Sequence, residues 1–202
     1  MTASIKVYSR FRGLGLLALL GIALQLQGCV EMAAVGVGAA VMAVEDRRSV
    51  GAQTEDKEID LRGESRVNAR FGNKVHVNVT SFNRNLLLTG EVPDAATKTE
   101  IEKIVREIPN VRGVVNEVQI AGVSSYSSRT SDSYLTSKVK ARFIDAGKFG
   151  ISHVKVLTES GAVYLLGLVT HQEADAAVEI ARTTGGVQKV VRVFEYIEAP
   201  PK

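Results

Sequence analysis

The chain offers few side chains for covalent or metal chemistry. Among its 202 residues there are one cysteine and three histidines, and tryptophan is absent. A single thiol, Cys29, excludes an intramolecular disulfide and any multi-cysteine metal centre. His76 and His153 stand at equivalent places in two halves of the chain, and His171 falls at the start of an expected helix. No HExxH spacing, Gly-rich phosphate loop or neighbouring carboxylate pair accompanies any of them. Ordinary surface or half-buried histidines are expected, with no catalytic centre, no metal site and no cofactor. Gly90 and Gly167 close Leu-rich runs, where backbone packing or a bulge is the expected role.

Cys29 takes its meaning from what precedes it. Lys6, Arg10 and Arg12 lead into an uncharged apolar run from Leu14 to Leu24, the pattern of a bacterial export signal. That run is too short for a bilayer, which takes about 20 residues. Leu26-Gln27-Gly28-Cys29 then resembles the lipobox of bacterial lipoproteins. The resemblance implies that residues 1–28 are removed and that Cys29 carries the lipid, palmitate among its acyl chains. Each buried CH₂ contributes about 0.8 kcal/mol, so several chains anchor the protein for good. Val30, rather than Asp, follows the cysteine. By the same resemblance this implies the outer membrane, with the protein facing the periplasm. Residues 29–54 read as a tether whose Gly/Ala-rich part, Met32 to Val44, is either a helix against the leaflet or a flexible linker.

The charge balance supports removal of the leader. The whole chain has 25 Lys+Arg against 22 Asp+Glu, a formal charge of +3. Residues 1–28 hold three of those bases and no acid, which leaves 22 against 22. Hydrophobic residues at 45% and charged at 23% suit a folded chain, and aromatics at 5% imply cores of Val, Ile, Leu and Ala. A basic excess of the kind that binds nucleic acid is missing, and export would separate the protein from it.

The elements that would carry any site repeat. His76-Val77-Asn78-Val79 recurs as His153-Val154-Lys155-Val156, and Leu86 to Val92 recurs as Val163 to Val169, both with an offset of 77. Val111-Arg112-Gly113-Val114-Val115 matches Val187 to Val191 at 76, and Val67 to Phe71 matches Val139 to Phe143 at 72. These offsets imply five extra residues between first helix and first strand in the second repeat. Each repeat reads as helix, strand, strand, helix, strand. Hairpins are expected over 75–81 with 86–92 and 153–158 with 162–169, second helices over 94–108 and 171–184, and last strands over 113–120 and 189–197. The fold class is α+β, as two tandem αββαβ domains over 55–122 and 131–199. In each, two helices pack on one face of a small three-stranded mixed sheet. Residues 123–130 read as a linker and 200–202 as a tail.

The αββαβ order, the run Leu-Leu-Gly-Leu-Val at 165–169 and the closing Gly-Val-x-x-Val-Val at 186–191 resemble the BON domain. Two such domains behind a lipobox resemble the dual-BON outer-membrane lipoproteins, which implies a non-enzymatic protein supporting envelope integrity.

A membrane surface is the function the residues themselves suggest. Leu135, Val139 and Phe143 mark the core side of the first helix in the second repeat, so Tyr134, Ser137, Ala141, Ile144 and Lys148 fall roughly opposite. An aromatic and an isoleucine beside Lys138, Lys140 and Arg142 suit shallow insertion among anionic headgroups. At offset 72 the first repeat has Arg62, Ser65, Ala69 and Gly72, with no aromatic or branched apolar group. The resemblance implies the same assignment, an anionic phospholipid such as phosphatidylglycerol bound by this helix, though the resembled proteins carry Trp where this chain has Tyr134. The rival expectation is a scaffold whose first domain docks the outer-membrane β-barrel assembly machinery, or a cell-wall or division partner, through strand edges or a free face.

Overall fold

The computed structural model describes residues 46–122 and 126–198, the first two of the second segment by backbone alone. The expected signal peptide, the lipid-bearing Cys29, most of the tether and the 200–202 tail lie outside the described residues.

In the first domain a long helix, α1 (Val50–Phe71), leads through a short turn into β1 (His76–Phe82) and β2 (Asn85–Val92). Then come α2 (Ala95–Arg106), β3 (Gly113–Asn116) and β4 (Gln119–Ile120). The second domain repeats the order with α3 (Tyr126–Ala146), β5 (Val154–Glu159), β6 (Ala162–Val169), α4 (His171–Arg182) and β7 (Lys189–Tyr196). In each sheet the middle strand pairs antiparallel with its hairpin partner and parallel with the last strand. The expected α+β fold of two tandem αββαβ domains is therefore the observed one. The last strand of the first domain is split: β3 and β4 both lie parallel to β2, with Glu117 and Val118 between them. Helix starts are capped by Ser49, Asp94 and Thr170 side chains, the last within a capping box with Glu173.

α3 begins at Tyr126 and so occupies part of the stretch read as linker. Its Ser side chains bond back to the helix instead of breaking it: Ser133 Oγ donates to Arg129 O and Ser137 Oγ to Ser133 O, each at 3.1 Å.

The helices of the two domains correspond at an offset of 76, not 72. Asp56, Ile59, Gly63 and Val67 are buried on α1; Asp132, Leu135, Val139 and Phe143 are buried on α3. Both aspartates do one job. Asp56 accepts the N–H groups of Asn83 and Arg84 at 2.7 Å, and Asp132 those of Ser160 and Gly161 at 2.8 and 2.9 Å. Each helix thereby holds the turn of its own hairpin, where Asn83, Arg84, Ser160 and Gly161 adopt positive φ. One residue, not five, is gained before the second hairpin. The offset of 72 came from a resemblance between Val-x-Ala-Arg-Phe strings one helical turn out of structural register.

The two domains also share a core. Each sheet covers its own helices on one face, with Leu86, Leu88 and Ile101 in the first core and Val163, Leu165 and Ala177 in the second. The opposite faces meet each other through Phe82, Leu87, Tyr164 and Leu166. The middle strands are thus apolar on both faces, which explains the unbroken runs at Leu86-Leu87-Leu88 and Val163 to Leu166 where alternation was expected. The segment before α1 ties the domains together. Arg47 makes two bonds to Glu173, at 2.7 and 2.9 Å, and a third to Leu168 O; Arg48 bonds Asp56 at 2.8 Å and lies over the Phe82 ring.

Candidate functional site

The outer face of α3 stands as expected. Leu135, Val139 and Phe143 are buried, and Tyr134, Ser137, Lys138, Ala141, Ile144 and Lys148 are all exposed. Tyr134 and Ile144 are 71% and 65% exposed. Lys148 lies just past the end of the helix. The cations are less free than the sequence implied. Arg142 turns inward to α4, donating to Ile180 O at 2.9 Å and Thr184 Oγ1 at 2.7 Å, so it contributes packing rather than headgroup contact. Lys138 Nζ donates to Gly185 O at 2.9 Å beyond the same helix end, where the helix dipole favours a cation, while its side chain stays at the surface.

With the structural register in place, the corresponding positions of α1 are Glu58, Leu61, Arg62, Ser65, Asn68 and Gly72. Glu58 and Arg62 pair at 2.5 Å, and Leu61 is the one exposed apolar group, at 57%. The expected absence of any branched apolar group from the first repeat therefore fails at Leu61, and the difference that is left lies at two positions. Glu58 and Asn68 replace Tyr134 and Ile144. No helix among the described residues is long and apolar enough to cross a membrane.

The histidines are better partnered than their sequence neighbourhoods suggested. His76 pairs across the hairpin with Glu91, and its Nδ1 lies 3.0 Å from Glu91 Oε2. Glu159 of the second domain approaches the same nitrogen to 4.0 Å. The absence of a carboxylate pair near His76 was thus a wrong expectation. Glu91 is brought in by hairpin register, which the sequence contained, and Glu159 by the packing of one sheet on the other, which it did not. His153 Nδ1 sits 3.4 Å from Glu173 Oε1 without hydrogen-bond geometry. His171 stacks on Tyr196 with ring centres 4.2 Å apart.

Burial and partners set the proton affinities of these carboxylates. Burial pushes Glu159 up, and the charges of Glu91 and Asp132 add to the rise against the pull of His76 and Asn78. For Glu173 burial also works upward, but the bonds from Arg47 and the Thr170 N–H prevail and hold it at about 2. Tyr164, buried between the sheets, is pushed up to about 12 by burial and by Glu117 and Glu159.

Gly90 and Gly167 hold backbone, not ligand. A Cβ on Gly90, whose φ is +112°, would stand 2.0 Å from His76 O; one on Gly167 would stand 2.4 Å from His153 O.

Two copies of one small α+β domain, packed sheet against sheet, define the class. The BON-domain profile matches residues 60–122 and 131–198, and the chain belongs to the BON-domain family. It is similar to the outer membrane lipoprotein DolP of Haemophilus influenzae, with 35% identity over 182 residues, 89% of this chain and 94% of that protein. It also resembles the 21 kDa hemolysin of Actinobacillus pleuropneumoniae, at 28% identity over 76% of this chain and 80% of that one. The osmotically-inducible protein Y of Escherichia coli matches at 29% identity over 56% of this chain and 58% of its own length. None of these names denotes an enzyme.

Proposed function

We infer that this chain is an outer-membrane lipoprotein, anchored through Cys29 and facing the periplasm, whose second BON domain binds anionic phospholipid. The outer face of α3 lies on the headgroups with Tyr134 and Ile144 inserted among them. Lys138 and Lys148 sit beside the phosphates, and Ser137 and Ala141 let the helix approach closely. The observation that carries this reading is the exposure of Tyr134 and Ile144 on one helix face where the first domain has Glu58 and Asn68. Similarity to an outer membrane lipoprotein over 89% of the chain supports the location. Bulk charge does not attract the second domain to lipid, since its bases and acids nearly balance. The contact is local, and through it the protein supports envelope integrity.

Protein lacking residues 1–29 tests the lipid site directly. It should sediment with phosphatidylglycerol vesicles and stay in solution with phosphatidylcholine, and Tyr134→Ala with Ile144→Asp should abolish sedimentation. Equal binding by wild type and the double variant refutes the site. Labelling of the full chain with a radioactive fatty acid tests the anchor, and should vanish in Cys29→Ala. The scaffold alternative has less surface to use, because the free sheet face of the first domain packs against the second. Crosslinking in membranes separates the two: a dominant protein adduct through the first domain favours a scaffold for the barrel assembly machinery.

A further inference from the structure

One cluster away from the α3 face has the donor set of a metal site. His76 Nδ1, a Glu91 oxygen and a Glu159 oxygen all lie within 4.8 Å of one another. The histidine stands 3.0 Å from Glu91 Oε2 and 4.0 Å from Glu159 Oε1. Tetrahedral zinc, with ligands at about 2.0–2.1 Å, sets its donors about 3.3 Å apart, between those two separations. Each carboxylate is also turned by a second bond. Asn78 Nδ2 donates to Glu159 Oε2 at 2.7 Å and Ser160 Oγ to Glu91 Oε1 at 3.2 Å, which leaves the other oxygen of each toward the imidazole. Such outer bonds are what orients ligands in protein metal sites.

Charge and access agree with the geometry. The side chains of His76, Glu91 and Glu159 are 19%, 5% and 11% exposed, so two carboxylates are drawn out of water around one imidazole. A dication would neutralise both and take His76 as a neutral ligand. An open cleft lined by His76, Asn78, Asp132 and Glu159, with Arg129 and Lys140 also on its wall, gives an entry path and room for water as a fourth ligand. The twin histidine has no such set, because the residue 77 places beyond Glu91 is Leu168.

We propose that His76, Glu91 and Glu159 bind a zinc ion that joins the two BON domains. An imidazole with two carboxylates suits zinc, whereas magnesium and calcium take oxygen ligands throughout. His76 and Glu91 come from the β1–β2 hairpin and Glu159 from the end of β5. The ion therefore crosses between the sheets, and its binding stabilises their association.

Zinc affinity of the full chain in detergent micelles, measured by competition with a chromophoric chelator, tests this. Wild type should bind zinc with a saturable site and show no comparable response to magnesium or calcium. Asn78→Ala, which keeps all three ligands, should weaken binding about 10–100-fold, and Glu159→Gln should weaken it further. Cys29 is common to all three proteins, so the differences report the cluster. X-ray absorption of the zinc-loaded wild type gives a reading independent of variant folding, with one imidazole among oxygen neighbours expected. No saturable zinc binding, unchanged affinity in both variants, or a zinc shell without imidazole would overturn the site and leave a hydrogen-bonded histidine–carboxylate pair.

Discussion

The two BON domains hang on the same internal bond and differ on their outer surfaces. Asp56 and Asp132 occupy one structural position and clamp one hairpin turn each. Around Asp56, however, Ser81 Oγ and Arg48 Nη1 add to the two turn N–H groups, while Asp132 serves its turn. The first domain thereby holds Arg48 of the incoming segment, while Arg47 goes to the second. The second presents Tyr134 and Ile144 to solvent where the first has Glu58 and Asn68. Packing fixes the inward positions of both copies, because a buried carboxylate or core side chain that lost its fit would cost several kcal/mol. Outward positions bear no such constraint. The two copies differ most there.

The comparison is most severely tested where the backbones match most closely. Gly90→Ala should cost about 3 kcal/mol or more, since it adds left-handed strain to a clash with the His76 carbonyl. Gly167→Ala meets a carbonyl too, but without positive φ, and should cost less; urea unfolding of both variants checks the order. Equal losses would mean that the two middle strands are not constrained differently. Next in size, Asp56→Ala should cost about 3 kcal/mol, because Ser81 Oγ and the Asn83 and Arg84 N–H groups lose their acceptor and Arg48 keeps only Asp46, and Asp132→Ala about 1–2 kcal/mol. Thermal unfolding that ranks them the other way would remove the special role of the first domain.

A smaller effect is expected from the Arg47 bridge to Glu173. The Glu173 carboxyl is held at about 2 in the folded protein. Its folded proton affinity lies below the unfolded one, so its stabilisation is present above about pH 4.5 and is lost as pH falls toward 2. Arg47→Ala should lower stability by about 1 kcal/mol at neutral pH and flatten the acid limb of a stability–pH curve. The smallest change in stability, within about 0.5 kcal/mol, is expected from grafting the outer face onto the first domain. Glu58→Tyr with Asn68→Ile, placed on the Tyr134→Ala/Ile144→Asp background, should restore sedimentation with phosphatidylglycerol vesicles. Failure would show that the α3 face needs more than its two apolar groups.

Much of this was legible in the residues. The element order, both hairpins and the core side of α3 follow from apolar spacing and turn formers, because those signals act over a few residues. Leu135, Val139 and Phe143 announce their face at helical period, and Tyr134 and Ile144 fall opposite by the same arithmetic. Register between the repeats was less legible. Val-x-Ala-Arg-Phe matches itself at 72, yet burial aligns the helices at 76, since hydrophobic strings tolerate a slip of one turn and a buried aspartate aimed at a turn does not. Arg142 was also misplaced as a surface cation. Its reach to the end of α4 depends on how two helices cross.

Residue spacing and the internal repeat are enough to read a duplicated αββαβ chain, its family, and a candidate membrane face on α3. All of that rests on patterns local to an element or copied between the halves. The shared core of the two sheets, the hold of Arg47 and Arg48 on the two domains, and the meeting of Glu159 with His76 and Glu91 emerge only on folding. Sheet-on-sheet packing joins residues about 80 positions apart through apolar faces, and hydrophobic attraction carries no directional signal in the sequence.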